Sequence, residues 1–498
     1  MEWIIGSPVS REAAPSVDEK HMPSQRDIYL LSPKQLSPET IAVAFAKTSR
    51  SPESFREIAA GLTDEKSAEF HERWVVGYGH ASVAEHAVLH LAVENVSRLA
   101  IECLESNRLA SYTEKSTRYQ MWNSDSFYVP RVIADSQHSE LYRQTCTRLF
   151  EIYQRSLEPV KRVMQVKYPR KDGESEARWD GRIRSKYVDN CRFLLPASAL
   201  ANVGMTANAR VLESAIRKML SHPLEEVREI GAEMKRVAQA EAPTLVKYAS
   251  AVASQSEMAA ALTVQAGKWK VESGGQSPEA RVELVDYDPA AEELFLAACL
   301  YRFGGSSFAE CRAAAANMSA GQKAALAREA LGRLDKYDAP LRELEHITYT
   351  FDAVMDQGGY FEIKRHRMMT QSPQGLTCDL GYAVPRAFDA AGFLDDYRTA
   401  MQAAAEAYCT LAAEFPEEAS YVVPNAFNRR LLMTLNLREA FHLCELRGAP
   451  GAHFSVRRVA GQMYEAIARA HPVLAGYMRC RDNPHWTEIE REFFVAVA

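Results

Sequence analysis

"MTLNLR", Met433–Arg438, rewrites "MTANAR", Met205–Arg210, at an offset of 228 residues. "YVVP", Tyr421–Pro424, repeats "FLLP", Phe193–Pro196, at the same offset. Two further echoes lie upstream. "YAVPR", Tyr382–Arg386, follows "FYVPR", Phe127–Arg131, and "LEHITYTFDA", from Leu344, follows "AEHAVLHLAV", from Ala84. Each match is short, but the four occur in the same order in both halves, and that order is the signature of a duplicated domain. The expected fold is therefore an α+β domain present twice. Ala/Leu/Glu-rich runs such as 292–316 and 393–414 predict long helices, and "HITYTF" predicts a strand.

The punctuation of the chain gives boundaries. Residues 1–28 are polar with scattered Pro and Ser and predict a disordered tail; they lack the basic start and long apolar core of a signal peptide. Copy one is expected over 29–264 and copy two over 284–498. Between them the Gly/Ser-bearing segment 265–283 reads as a linker. Copy one is longer after its middle, where "YPRKDGESEARWDGRIRSK", from Tyr168, predicts a charged loop insertion.

Composition narrows the function. The 498 residues are 47% hydrophobic and 25% charged, with net charge −6, so neither a nucleic-acid polymer nor a membrane is an expected partner. No apolar run is long enough to span a bilayer. Nine cysteines are scattered without a CxxC pair, which predicts a reduced, cytoplasmic protein without a zinc site. Basic residues are concentrated locally instead. "IKRHRMMTQ", Ile363–Gln371, sets Lys364, Arg365, His366 and Arg367 side by side, and copy one has a worn counterpart in "ESNRLASYTEKSTRYQ", Glu105–Gln120. Alone, such a run is usually a solvated face. Clustered cations of this kind suit a small phosphorylated ligand.

The ordered set EH, RHRxxT, VP, LP and NLRxxxHxxxLR resembles the flavin-dependent thymidylate synthases, over roughly 35–260 and 290–480. That family's signature is Arg-His-Arg, then Ser, then Ser-x-Arg-Tyr, with an Asn-x-Arg element and a further arginine on a later helix. Neither copy keeps all of it. Copy one has "SNR" in place of Arg-His-Arg but retains Ser111, Ser116, Arg118 and Tyr119. Copy two retains Arg365, His366, Arg367 and Thr370 but has Gly375, Thr377 and Cys378 further on. Arg192 fits the arginine before the LP turn, where copy two has Ser420. Arg447 fits the activating arginine, where copy one has Met219.

The losses are complementary, so one complete composite site can be drawn from the two copies. The resemblance implies that Glu114, Lys115, Ser116, Thr117, Arg118 and Arg192 of copy one join Glu362, Arg365 and Arg447 of copy two around the substrate nucleotide. Arg447 would be the catalytic residue, polarising the pyrimidine carbonyl. FAD would be held by His80, Ser82, Glu85, Arg365, His366, Arg367, Asn436, Arg438 and His442. The "HASVAEH" stretch does not match a zinc helix, and no metal is expected.

The activity so implied is reductive methylation of dUMP to dTMP, with methylenetetrahydrofolate giving the carbon and NADPH reducing the flavin. No cysteine nucleophile is involved. One departure keeps a second substrate open: Glu362 stands near the family's base-contacting glutamine, so C5-alkylation of another pyrimidine nucleotide such as UMP is an alternative, as is an inactive flavin- or nucleotide-binding protein. The resemblance also implies helices packed on a small, mainly antiparallel sheet in each copy, with the two copies forming a pseudo-dimer. The family's four-domain assembly implies a homodimer of this chain, a pseudo-tetramer of domains.

Overall fold

The computed structural model describes residues 27–49, 51–77, 81–117, 120–269, 281–480 and 483–495. Copy one contributes strands β1 (Val88–Ser97), β2 (Ala110–Glu114) and β3 (Leu200–Asn208), in the order β1-β3-β2 with β3 antiparallel to both neighbours. Copy two contributes β4 (Arg281–Tyr287), β5 (Thr348–Asp356), β6 (Thr370–Pro373) and β7 (Asn428–Asn436), in the order β4-β5-β7-β6. Set aside β4, and the two sheets are the same object. Val88 faces Asn208 as Thr348 faces Asn436, and Ser111 faces Thr206 as Thr370 faces Thr434. This register makes Ser106, Asn107 and Arg108 the structural equivalents of Arg365, His366 and Arg367. The tandem duplication and the α+β class read from the sequence are both present.

Alternation along β3 sends Ala201, Val203, Met205 and Ala207 into the copy-one core, and β7 does the same with Leu431, Met433 and Leu435 in copy two. Each central strand ends in an asparagine that caps the next helix. Asn208 accepts from Val211 N–H ahead of Ala209–Leu220, and Asn436 accepts from Glu439 N–H ahead of Leu437–Gly448. A third apolar cluster belongs to both copies, with Phe193 and Leu195 packed among Val423, Phe427 and Phe454.

The copies meet at their LP turns. Ala197 N–H donates to Val423 O at 2.9 Å, and its mate, Asn425 N–H, donates to Leu195 O at 3.0 Å. Ser198 N–H to Tyr421 O and Ala426 N–H to Phe193 O form a second such pair. Every partner maps onto its mate through the 228-residue offset, so a local two-fold axis passes between Pro196 and Pro424, which form an isolated antiparallel bridge.

Two readings of local structure need correction. The long helix expected over 292–316 is two, Ala291–Phe303 and Phe308–Asn317. Gly304 and Gly305 end the first, and Ser307 with Glu310 builds a capping box that starts the second. The insertion after Tyr168 is only partly loop, since Ser175 caps a helix, Glu176–Cys191, that runs up to Arg192. At the junction the helix Ala253–Lys268 reaches into the expected linker and β4 begins at Arg281. Residues 1–26 of the expected tail lie outside the described residues.

Candidate active site

The copy-two half of the site hangs from the end of β5. Asp356 caps the helix Gln357–Ile363, accepting from Gly359 N–H at 2.7 Å and from the Ser455 hydroxyl. Its carboxyl is fully buried, and burial pushes its pKa up against the pull of Arg458 at 3.6 Å. Space is short around the first glycine after it: a Cβ on Gly358 would sit 3.1 Å from Asp356 Oδ1, whereas one on Gly359 would reach 3.4 Å from Ser455 Oγ, ordinary contact. This short helix presents Glu362 and delivers Lys364, Arg365, His366 and Arg367 to the turn before β6.

Glu362 is the meeting point. It accepts from Arg447 Nη1 at 3.0 Å on its own copy and lies 3.7 Å from Arg192 Nη2 of the other. Arg192 also donates to Thr117 Oγ1 at 3.3 Å and reaches the carbonyl of Gly358 at 3.5 Å. Its Nε is buried without a hydrogen-bond partner among the described residues, an unmet donor beside the carboxylates. Arg365 Nη2 crosses to Glu114 of copy one at 3.2 Å while leaving half its side chain exposed. Burial works to raise the Glu114 pKa, but Arg98, Lys364 and Arg365 around it prevail and hold it below the usual carboxylate range. Thus Glu114, Thr117, Arg192, Glu362, Arg365 and Arg447 are brought together across the copy boundary. Ser116 is half-buried beside them, and Lys115 is exposed with its ammonium 5.1 Å from the Trp122 ring. Arg118 lies outside the described residues.

At the two-fold-related position the same construction has other contents. Ser420 replaces Arg192, Leu376 replaces Thr117, Pro373 replaces Glu114, Ser106 replaces Arg365 and Met219 replaces Arg447. Cys103 replaces Glu362, and burial pushes its thiol up to about 11. A cavity of about 470 Å³ remains there, lined in part by Cys103, Ser106, Leu376 and Ser420. Arg429 beside it is neutralised by Glu102 at 2.7 Å.

The residues expected at the flavin do not gather at one place. Glu85 is paired with Arg210 of its own copy. Arg438 is paired with Glu345 at 3.0 Å and with the Pro340 carbonyl, again within its own copy. The two pairs are equivalents under the duplication. Ser82 is exposed beside Glu85, Asn436 serves as a helix cap, and His80 lies outside the described residues. His366 is buried, with His442 5.4 Å away, ring centre to ring centre. Arg367 stacks 5.2 Å over the Tyr112 ring and makes no ion pair to a carboxylate among the described residues. No group of His, Cys, Asp and Glu among the described residues could hold a metal ion.

Two participants, Arg98 and Glu439, escaped the sequence reading, and Lys364 entered it only as part of its basic cluster. Arg98 is buried, 2.9 Å from Glu114 and 4.0 Å over the Phe361 ring. Lys364 is buried against Glu105 of copy one at 2.8 Å. Glu439 accepts from the His366 ring at 2.8 Å. Arg98 had one legible signal, a charge at a core-facing helical position in "SRLAIECLE"; the cluster around Lys364 was visible but not its partner, and Glu439 carried none.

The comparisons agree with the duplication. The family model for thymidylate synthase complementing protein matches twice, at residues 31–244 and 283–473. A UPF0159 protein of Chlamydia muridarum is 31% identical over 435 residues, which are 84% of this chain and 82% of that protein. A flavin-dependent thymidylate synthase of Clostridium tetani is 27% identical over 218 residues, 43% of this chain and 82% of that protein. Among solved structures, a UMP/dUMP methylase PolB from Streptomyces cacaoi bound with 5-Br dUMP is 20% identical, with a TM-score of 0.33, over 40% of this chain and 94% of that one. With its family model matched once in each half, the chain belongs to the thymidylate synthase complementing protein family.

Proposed function

We propose that this protein is a flavin-dependent methyltransferase acting on a pyrimidine nucleotide, converting dUMP to dTMP with methylenetetrahydrofolate as carbon donor and NADPH as reductant. The observation that carries it is the convergence of Arg192 from copy one and Arg447 from copy two on Glu362. Two arginines, one with a buried unmet donor, suit the two ends of a nucleotide: a planar fork for phosphate oxygens and a second cation for the base carbonyl. Arg192, Thr117, Ser116 and Arg118 would take the phosphate. Arg447 would stabilise charge that develops on the pyrimidine during attack. Glu362 would accept from the base N3–H.

FAD fits the remaining cations. Arg365 is half exposed and Arg367 has no carboxylate partner among the described residues, so both would be available to a diphosphate. The bound flavin supplies the hydride; the chain orients the two reactants and excludes competing water. Of the sequence-derived cofactor set, His80, Ser82 and Glu85 of one chain and Asn436, Arg438 and His442 of another would complete the cradle in this reading.

Glu362 favours one second reading, methylation of UMP, because a carboxylate at the base edge departs from the family's glutamine. The test is an anaerobic incubation with FAD, NADPH, methylenetetrahydrofolate and either dUMP or UMP, with products weighed by mass spectrometry. A methyl gain on dUMP supports thymidylate synthesis. Gain on UMP alone transfers the assignment to UMP, and gain on neither refutes both.

A further inference from the structure

Arg447 is not held by Glu362 alone. Its Nε donates to His366 Nε2 at 2.9 Å. An arginine Nε–H can only donate, so His366 Nε2 must be the bare, accepting nitrogen and the ring proton must sit on Nδ1. That proton points at Glu439 Oε1, 2.8 Å away. The imidazole is buried, only 3% exposed, and the Glu439 side chain is 9% exposed. Glu439 and Arg447 stand on one helix, Leu437–Gly448, eight residues apart or about 12 Å along its axis. The arginine leans back toward the helix N-terminus, the direction in which helical side chains point, and His366 fills the gap between them.

The other copy supplies an internal control. At the positions equivalent to Glu439, His366 and Arg447 it has Val211, Asn107 and Met219. Asn107 has found other work there, accepting from Lys218 Nζ at 2.8 Å. Three residues from two separate stretches have been lost together where the arginine is lost. That is what a single working unit would do, and three independent packing positions would not.

We propose that Glu439 and His366 are positioning residues for Arg447: the carboxylate fixes the imidazole in its Nδ1–H tautomer, and the bare Nε2 aims the guanidinium. This rests on the reading of Arg447 as the group at the pyrimidine carbonyl. His366 thereby acts through the arginine.

The test compares two near-isosteric replacements in the full chain. His366→Gln can still offer an oxygen near the Nε2 position, whereas His366→Asn mimics only the Nδ1 side. We expect His366→Asn to lower kcat about 100-fold, the scale of a misaligned reacting group, with KM for dUMP within threefold. His366→Gln should recover at least tenfold of that loss, and Glu439→Gln should fall between. In Arg447→Met, adding His366→Asn should cost nothing more. Equal losses from Asn and Gln, an effect confined to KM or to flavin content, or additive losses in the double variant would overturn the relay.

A second readout separates this proposal from the methylation reading. Spectra of the ligand-free chain labelled with ¹⁵N-histidine should show His366, identified by its absence in His366→Gln, as a neutral Nδ1–H tautomer at pH 7, with Nε2 shifted by Arg447→Met. If no nucleotide is methylated but this signature is present, the function fails and the relay stands. An Nε2–H or doubly protonated ring sinks the relay even in an active enzyme.

Discussion

Arg447 donates to Glu362 at 3.0 Å from within the same copy, while Arg192 approaches that carboxylate from the other copy at 3.7 Å. One buried anion thus serves two cations assigned to opposite ends of a nucleotide. Removing it takes the shared carboxylate from both guanidiniums, at a cost on the order of 3 kcal/mol. Glu362→Ala is therefore expected to lower the urea midpoint clearly. Glu362→Gln keeps an acceptor for Arg447 but removes a negative charge near the proposed phosphate. It should tighten dUMP binding about tenfold, equivalent to about 1.4 kcal/mol, when titrated by calorimetry. Weaker binding in Glu362→Gln would mean that the charge itself reads the base.

The complementary losses predict a strong asymmetry among arginines. Arg447→Ala and Arg118→Ala should each lower turnover about 1,000-fold. Arg108 and Arg210, the copy-one counterparts of Arg367 and Arg438 in the worn half-set, meet Thr370 and Glu85, and their replacement by alanine should leave most activity. Calorimetry should count one nucleotide per chain, because Ser420, Leu376 and Met219 cannot supply the donors that Arg192, Thr117 and Arg447 do. Two equivalent nucleotides per chain, or comparable losses from all four substitutions, would remove the one-site reading.

The duplication was legible because the strand-ending asparagines and the LP turns are held by backbone geometry that few other residues satisfy. Asn208 and Asn436 must cap, and Pro196 and Pro424 must face each other across the axis. The composite pairing of Arg192 with copy-two residues was legible from which half-signature each copy kept. The pairings of the buried charges were not. Lys364 looks like part of a solvated basic run, and only the folded chain places Glu105 of the other copy beside it. Glu439 sits in an ordinary helical first turn, and nothing in its neighbours announces a histidine arriving from residue 366. Such contacts are set by three-dimensional closure between segments far apart in sequence, which local pattern does not encode.

Stability should fall on mild acidification, and His222 is one cause. It is largely buried, and burial, with Arg228 and Lys218 nearby, pushes its pKa down to about 4. Its Nδ1 accepts from Leu224 N–H at 3.2 Å, a bond that protonation would break. The folded pKa lies below the unfolded value of about 6.5, so unfolding takes up a proton between those limits. The stabilisation is complete above pH 6.5 and is lost as pH falls toward 4. The denaturation midpoint of the wild type should drop across that window, and His222→Gln should show a shallower drop. An unchanged slope in the variant would assign the acid sensitivity to other groups.

Glu85 with Arg210, and Glu345 with Arg438, show each copy closing its own version of the same ion pair. The copy-one stretch that includes Ser82 and Glu85 therefore does not join the copy-two helix carrying Arg438 and His442 through these contacts within one chain. If both contribute to one flavin, the partner set has to come from a second chain. The expected assembly is a homodimer, with a mass in light scattering of twice the 55.7 kDa chain. Glu85→Lys should then loosen flavin binding, and mixing it with Arg438→Glu chains should restore part of the bound flavin in hybrid dimers. A chain that runs as a monomer while retaining full flavin would show that one chain completes its cofactor site unaided.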